Sequence, residues 1–405
     1  MGTGAPDVGA ERELLRWRNA VIACFTVAGL TVAAWGPRMP SIKGSLRIDA
    51  GELGLILAGT TVGALLGMVL AAFVRRQLGG RRGVGLALGL LAVALATLSS
   101  GLALSAVPLV ALGFVIVGLG IGLIEVLVNV EGAEVERRAR RTLMPLMHGA
   151  WSVGVALGAG VGAACEAANI SVALQFAGES ILLAVTVVLV PRGIPADRYG
   201  LESAAAPRHG GFQVGRWLRS FLAQLDARLA LIGLVMLGVE VGEGSASSWL
   251  SLSVTDGHGG TARFAAVMFL VFATVEATAR LAGGPIVDRI GRVNAVRWTA
   301  GVGAVGALMF IASDAMATQL VGIALWAVGV SLGFPLGMSA AATGANAAVR
   351  VSVVASLGYL ANLAGPPIVG HVADNVGFLK ALLIVVAFLL VAAASAPALR
   401  EPRAD

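Results

Sequence analysis

Glu240, Glu243, Glu276 and Arg280 stand inside long apolar runs, where a charge has no water to meet it. A charged side chain in the middle of a bilayer costs about 2.5–3.5 kcal/mol on insertion scales, so each of these groups needs a partner or a task. Glu240 and Glu243 are three residues apart, which puts both on one face of a helix. Two carboxylates so placed do not both ionise easily, and one of them can carry a proton near neutral pH. Glu276 and Arg280 are four apart, the spacing of an intrahelical ion pair. That pair is either a structural bridge or, if it faces a cavity, a guanidinium able to dock an anionic group. Glu125 lies in another apolar run with Asn129 one turn on. His148 titrates intrinsically near neutrality, as a proton relay must, and Glu179 is expected to take a lipid-side or packing role. Asn362 and Tyr359, with Trp35, Trp249 and Trp326, are the polar-tipped groups able to line a cavity. Tryptophans near the ends of runs also form interfacial belts.

This is not the chemistry of an enzyme. The chain has no Gly-x-x-x-x-Gly-Lys-Ser/Thr loop, no His-Glu-x-x-His and no Gly-x-Ser-x-Gly. Cys24 and Cys165 give neither a metal-ligand spacing nor a disulfide framework, and read as small packing residues. No cofactor, metal or nucleotide is expected.

Composition says what must position these groups. Of 405 residues, 57% are hydrophobic and only 13% charged, against about 25% charged in soluble domains. Apolar runs fall near residues 20–40, 53–74, 84–104, 107–128, 146–164 and 172–190. A second set falls near 229–252, 262–287, 293–313, 317–341, 353–372 and 379–396. A bilayer span needs about 20 apolar residues, so the reading is an all-α membrane protein of twelve helices in two six-helix halves. The parts are an N-terminal tail (1–17), a first half (18–191), a linker (192–228), a second half (229–397) and a C-terminal tail (398–405). The linker is expected to hold an interfacial helix around Phe212 to Leu225. No removable signal peptide is expected, because the first apolar run is too long and no small-residue cleavage site follows a basic start. The net charge of +6 does not point to nucleic acid, because 23 of the 29 basic residues fall in even-numbered loops and tails. That asymmetry places both termini in the cytoplasm.

Between the eighth and ninth runs lies Gly284-Pro-Ile-Val-Asp288-Arg289-Ile-Gly291-Arg292. A shift of 211 residues aligns it with a basic turn at Gln77-Leu78-Gly79-Gly80-Arg81-Arg82, setting Gly80 on Gly291 and Arg81 on Arg292. The same shift pairs Gly118 with Gly329, Gly122 with Gly333 and Gly154 with Gly365. One constant offset across several segments indicates internal duplication, and a duplicated helix bundle in the membrane is how secondary transporters are built. The charged turn reads as a cytoplasmic gate, formed by Gly284, Asp288, Arg289, Gly291 and Arg292 with Arg81 and Arg82. Asp288 would meet a helix N-terminus or an arginine. The first copy has Gln77 and Leu78 in place of Asp and Arg, and should latch more weakly.

On these residues the chain resembles the major facilitator superfamily, whose Gly-x-x-x-Asp-Arg-x-Gly-Arg-Arg signature Gly284 to Arg292 matches up to Val293. Trp35-Gly-Pro-Arg38-Met-Pro40, Met147-His148-Gly149-Ala-Trp151, Glu243-Gly244 with Trp249, and Gly365-Pro366-Pro367 resemble a fucose-permease-like branch. The resemblance covers residues 18 to 397. It implies a role in coupling for Glu243 and Glu125, although the aspartate that accompanies the latter in the first helix of the sugar transporters has no counterpart here. Gly149, Gly158 and Gly162 are similar to a glycine ladder of the superfamily's antiporters and tilt the reading towards export. The expected function is alternating-access transport of a small organic solute, driven by protons, by a monomer in the cytoplasmic membrane. A proton–sugar importer and a non-transporting sensor of the same fold are the alternatives.

Overall fold

The computed structural model describes residues 8–140, 143–196, 226–341 and 347–400, and within the last stretch the side chains of Tyr359 and Asn362 lie outside what is described. The linker's expected interfacial helix also lies outside the described residues. In chain order come α1 (Val8–Ala33), α2 (Met39–Leu46), α3 (Ala50–Ala103), α4 (Val107–Ala139), α5 (Met144–Ala167) and α6 (Val172–Leu189). After them come α7 (Ala227–Leu252), α8 (Ala262–Ile290), α9 (Arg292–Ala312), α10 (Met316–Ser331), α11 (Gly333–Ala341), α12 (Ala347–Val376), α13 (Phe378–Ala381) and α14 (Leu383–Ser395). Among the described residues there is no strand. The physical reason is that lipid offers a backbone no hydrogen bonds, so each apolar run must satisfy its own.

Among the described residues, ten helical stretches are long and apolar enough to span. One of them, α3, has 54 residues. At 1.5 Å per residue it would be about 80 Å long if straight, far more than the ~30 Å hydrocarbon layer. It is two arms broken at Gly79, whose φ of 76° and ψ of 176° are not helical. With α3 counted twice and the 30-residue α12 included, the segments agree with the twelve expected.

The break at Gly79 corrects the register of the repeat. Gly291, between α8 and α9, has φ 77° and ψ 159°. Of the glycine doublet it is therefore Gly79, 212 residues before Gly291, that shares the backbone conformation of Gly291, and not Gly80. A glycine doublet offers two candidates, and only the torsion shows which one takes the turn. In the corrected register Arg76, not Gln77, stands where Asp288 stands, and Gln77 answers Arg289. The paired Gly154 and Gly365 do not share an environment either. A side chain at Gly154 would collide with the Thr26 carbonyl of α1, whereas Gly365 has open space around it. Helix pairing is what repeats: α1 packs on α5 as α7 packs on α12.

The chain forms two compact units, one of residues 1–35 and 59–206, the other of 36–58 and 207–405. In the first, α1 and α5 approach along Gly29, Gly154 and Gly158, each facing backbone of the other helix so closely that a Cβ would clash. Small residues permit such approach, and in lipid close packing holds helices together. Gly154 and Gly158 of α5 are thus explained by packing on α1. In the second unit Phe272, Phe310, Trp326 and Leu389 form the core, and α9 meets α10 where Gly303 faces Gly329.

Residues 36–58 belong to the second unit, although the expected halves assign them to the first. Ser251 Oγ donates to the Gly36 carbonyl at 2.9 Å, and Lys43 pairs with Asp256 at 2.6 Å. Asp374 of α12 accepts from the backbone N–H groups of Ala50 and Gly51 at 3.2 and 2.7 Å. It therefore caps the start of α3 from a distant part of the chain.

Two outcomes follow. Gly291→Ala should lower stability by about 1–3 kcal/mol, because that backbone region belongs to glycine while nothing lies within 4 Å of the added methyl group. Gly284→Ala, inside α8 and equally uncrowded, should be close to neutral; apparent melting in detergent compares them. At the start of α7, Asp226 accepts from Leu229 N at 2.6 Å and from Arg350 at 2.8 Å. The Arg350 bond first, then the backbone bond, hold its carboxyl below the ordinary 3.8. A depressed carboxylate stabilises the fold above its unfolded pKa and loses that contribution as pH falls through the folded value. Melting measured from pH 6 down to pH 3 should therefore fall more steeply in the wild type than in Asp226→Asn. The asparagine keeps the cap and has no charge to lose.

Candidate functional site

Arg280 organises the charged groups of the second unit. One turn before it on α8, Glu276 accepts from its Nη2 at 2.5 Å. From α7, Glu243 accepts from the same nitrogen at 3.1 Å. Its Nε donates to the Ser331 carbonyl at the end of α10, at 3.2 Å. The i, i+4 spacing thus makes the expected ion pair, and a second helix supplies a second carboxylate. The two carboxylates thus converge on one nitrogen. Burial is graded across the cluster: the Glu276 side chain is 8% exposed, while those of Arg280 and Glu243 are 28% and 29% exposed.

The expected pairing of Glu240 with Glu243 gives way to this arrangement. Glu243 is taken by Arg280 of α8, and Glu240 lies where a side chain at Gly358 of α12 would touch its Cγ at 3.4 Å. Glu240 still contributes its charge to the field at Arg280. The guanidinium faces three carboxylates and has already committed its Nε and Nη2, which argues against its being an open dock for an anion.

The other expected residues scatter. Asn129 spends its amide on the Glu125 carbonyl at 2.7 Å within α4, and Glu125 is half-buried. Trp35 is 8% exposed and meets Phe114 edge-on at 5.7 Å. Trp249 is fully buried against Phe378, and Trp326 is fully buried with Phe272. These three are packing groups where cavity linings were expected. His148 is exposed and lies 5.0 Å from the Phe25 ring. Glu179 is buried and accepts from Gln175 at 3.0 Å, as a packing role requires. Asp288, Arg289, Gly284 and Gly291 are exposed, Arg292 and Arg81 half-buried, and Arg82 exposed.

One buried carboxylate escaped the reading of the sequence. Glu131 of α4 is 4% exposed, accepts from Trp17 Nε1 of α1 at 3.1 Å and pairs with Arg75 of α3 at 3.1 Å. A side chain at Gly80 would run into its carboxylate. The signal was available: Ile124, Leu127, Glu131 and Val135 follow helical spacing on the buried face of α4. It was hidden because Glu134, Arg137 and Arg138 just beyond give that end of the run the look of a solvated face. The first unit therefore answers the basic residues of its turn with a carboxylate from a neighbouring helix.

The sequence profile described as Major Facilitator Superfamily matches residues 21–358. The chain belongs to that superfamily. A transporter of the superfamily from Yersinia pestis, not functionally characterised, is 27% identical over 378 residues, covering 92% of this chain and 93% of that one. Among solved structures, a point mutant of the nucleoside transporter NupG aligns with a TM-score of 0.76 at 13% identity, over 96% of this chain and 100% of that one. A variant of the Escherichia coli fucose:proton symporter FucP gives 0.65 at 15%, covering 95% and 98%. At these identities the structures show the fold. The superfamily assignment makes the chain a multi-pass membrane transporter.

In this superfamily member the cluster can be dissected by charge. Arg280→Met strands Glu276 and Glu243 without a cation, and breaking such a pair from one side costs about 3–5 kcal/mol. Adding Glu276→Gln should recover most of that loss, as a melting curve in detergent would report. A double variant no more stable than Arg280→Met alone would show that Arg280 holds the fold by some other contact.

Proposed function

We propose that this transporter couples movement of a small organic solute to protons, and that the coupling proton resides on the Glu243–Glu276 pair with Arg280 as its counter-charge. The observation that carries this reading is the meeting of two carboxylates on one guanidinium, at the end of a single Nη2. Two carboxyl groups held at one nitrogen do not both ionise easily, which favours one proton between them. With one proton the three groups sum to zero charge, the state that an apolar bundle tolerates best. Without it the cluster carries a net negative charge, and that state is favoured only where water reaches Glu243. Two protonation states with different charge and different hold on Arg280 are what alternating access can exploit, since a ligand shifts an equilibrium by its differential affinity for the two states.

Two further facts support the reading. FucP, which shares the fold, is named as a fucose:proton symporter, and NupG as a nucleoside transporter, so both carry polar organic solutes. The cluster also draws on α7, α8 and α10, three helices of one unit, so a change in its charge acts on their packing together. Import or export is left open: of the glycines of α5 that favoured export, Gly158 packs on α1, a contact that serves either direction.

The test is transport in proteoliposomes holding a pH-sensitive dye, offered monosaccharides and nucleosides in turn. The wild type should move protons when its solute is added. Glu243→Gln should lose solute-dependent proton movement and uphill accumulation, yet keep counterflow of labelled solute. A neutral isostere keeps hydrogen bonds but has no proton to release. Uphill accumulation at the wild-type level in Glu243→Gln would sink the proposal. Solute flux in the wild type would also exclude the non-transporting sensor.

A further inference from the structure

Each unit carries a cavity that gathers arginines from separate elements. In the first unit a cavity of about 500 Å³ is lined by Arg12 and Arg16 of α1, Arg81 just past the Gly79 break, and Arg192 of the turn after α6. In the second, a cavity of about 530 Å³ is lined by Arg292 and Arg297 of α9, just past the Gly291 break, and by Arg400. The two have one construction. Each lies between the start of the helix that follows the glycine break and the 3₁₀ turn closing the unit's last helix, Val190–Gly193 in one and Ala396–Leu399 in the other.

The charges in these cavities are not balanced from within. Among the described residues, Glu13 is the one lining carboxylate against four arginines, and Asp288 the one against three. Among the described residues, the side chains of Arg12, Arg16, Arg81, Arg192 and Arg297 make no hydrogen bond or ion pair. Arginines gathered with few counter-charges raise the local positive potential, which draws anions to the cavity. Arginine's planar fork suits phosphate oxygens. In the second cavity the first N–H groups of α9 have no side-chain cap, and such a helix start adds partial positive charge. Both volumes fall in the range of small-molecule sites.

We propose that these two cavities bind phosphate-bearing anions, one per unit. The arginines lie at helix ends on the side that the basic-residue asymmetry assigns to the cytoplasm, where anionic lipid headgroups concentrate. A lipid phosphodiester and a soluble phosphate share the chemistry that the cavities recognise.

The experiment uses the full chain purified in detergent, with two kinds of probe. Native mass spectrometry counts and ranks retained phosphatidylglycerol against phosphatidylcholine. Thermal unfolding compares inorganic phosphate with chloride at equal ionic strength. The pocket variants are Arg12→Gln/Arg16→Gln/Arg192→Gln for the first unit and Arg297→Gln/Arg400→Gln for the second. Arg82→Gln/Arg137→Gln/Arg140→Gln removes as many charges as the first of these, outside both cavities. The wild type should hold phosphatidylglycerol at least fivefold more tightly than phosphatidylcholine, and each pocket variant should lose one tightly held lipid. The charge-matched control should stay within twofold of the wild type. Stabilisation by phosphate, lost in the pocket variants and without a lipid preference, would make the ligand a soluble phosphate. Arg192→Gln alone, an exposed single change, should weaken binding at least twofold if the triple variant does not fold. A control variant that loses as much as the pocket variants overturns the proposal. So does a wild type that prefers neither anion over its reference.

Discussion

A guanidinium inside an apolar bundle must be met by carboxylates, and in the second unit Arg280 is met from two helices. Glu276 is supplied by its own helix and Glu243 by α7, while α10 contributes a carbonyl. Each of these groups alone would be costly at that depth. Together they make a cluster that ties α7, α8 and α10 to one another through charge, which an all-apolar seam could not do. The core around Phe272 and Trp326 beside it is packed without charge.

The spans were legible because hydropathy and helix are joined by one rule: in lipid, an apolar run has no other way to satisfy its backbone. The Glu276–Arg280 bond was legible for a local reason, the rise of the helix between i and i+4. The partner of Glu243 was not. Glu240, three residues away, was the nearest carboxylate in sequence, whereas Arg280 lies 37 positions on, and nothing in the spacing ranks a long-range contact above a short one. Trp35 and Trp249 were read by their place near the ends of runs, yet a run's end says nothing of which neighbour covers it. Glu131 shows the converse error, since surrounding charges concealed a residue whose own register pointed inward.

The duplication survives in topology and in one backbone torsion more than in side chains. Gly79 and Gly291 adopt nearly one conformation, and each ends a helix where the next begins. What surrounds them has diverged. Asp288 stands exposed beside its turn, while the first unit has Arg76 at that place and a buried carboxylate, Glu131, reaching Arg75 from α4. One turn keeps its acid in the loop, and the other has moved it into the bundle.

Residues 36–58 have a further consequence for how the protein is made. Ile42 and Leu53 are fully buried and Leu46 nearly so, and the groups that hold the segment, Ser251, Asp256 and Asp374, all belong to the later part of the chain. A ribosome delivers this segment long before its seat. Asp49 and Glu52 cap the start of α3 locally, but until α12 is in the membrane the N–H groups of Ala50 and Gly51 lack Asp374, and until α7 is there the apolar face of α2 has lipid or the insertion machinery as its neighbour. The first six spans are therefore not a finished folding unit when they emerge. The last step of assembly must bring an early piece of chain onto late helices, which makes the two halves of the sequence dependent on each other during biogenesis as well as in transport.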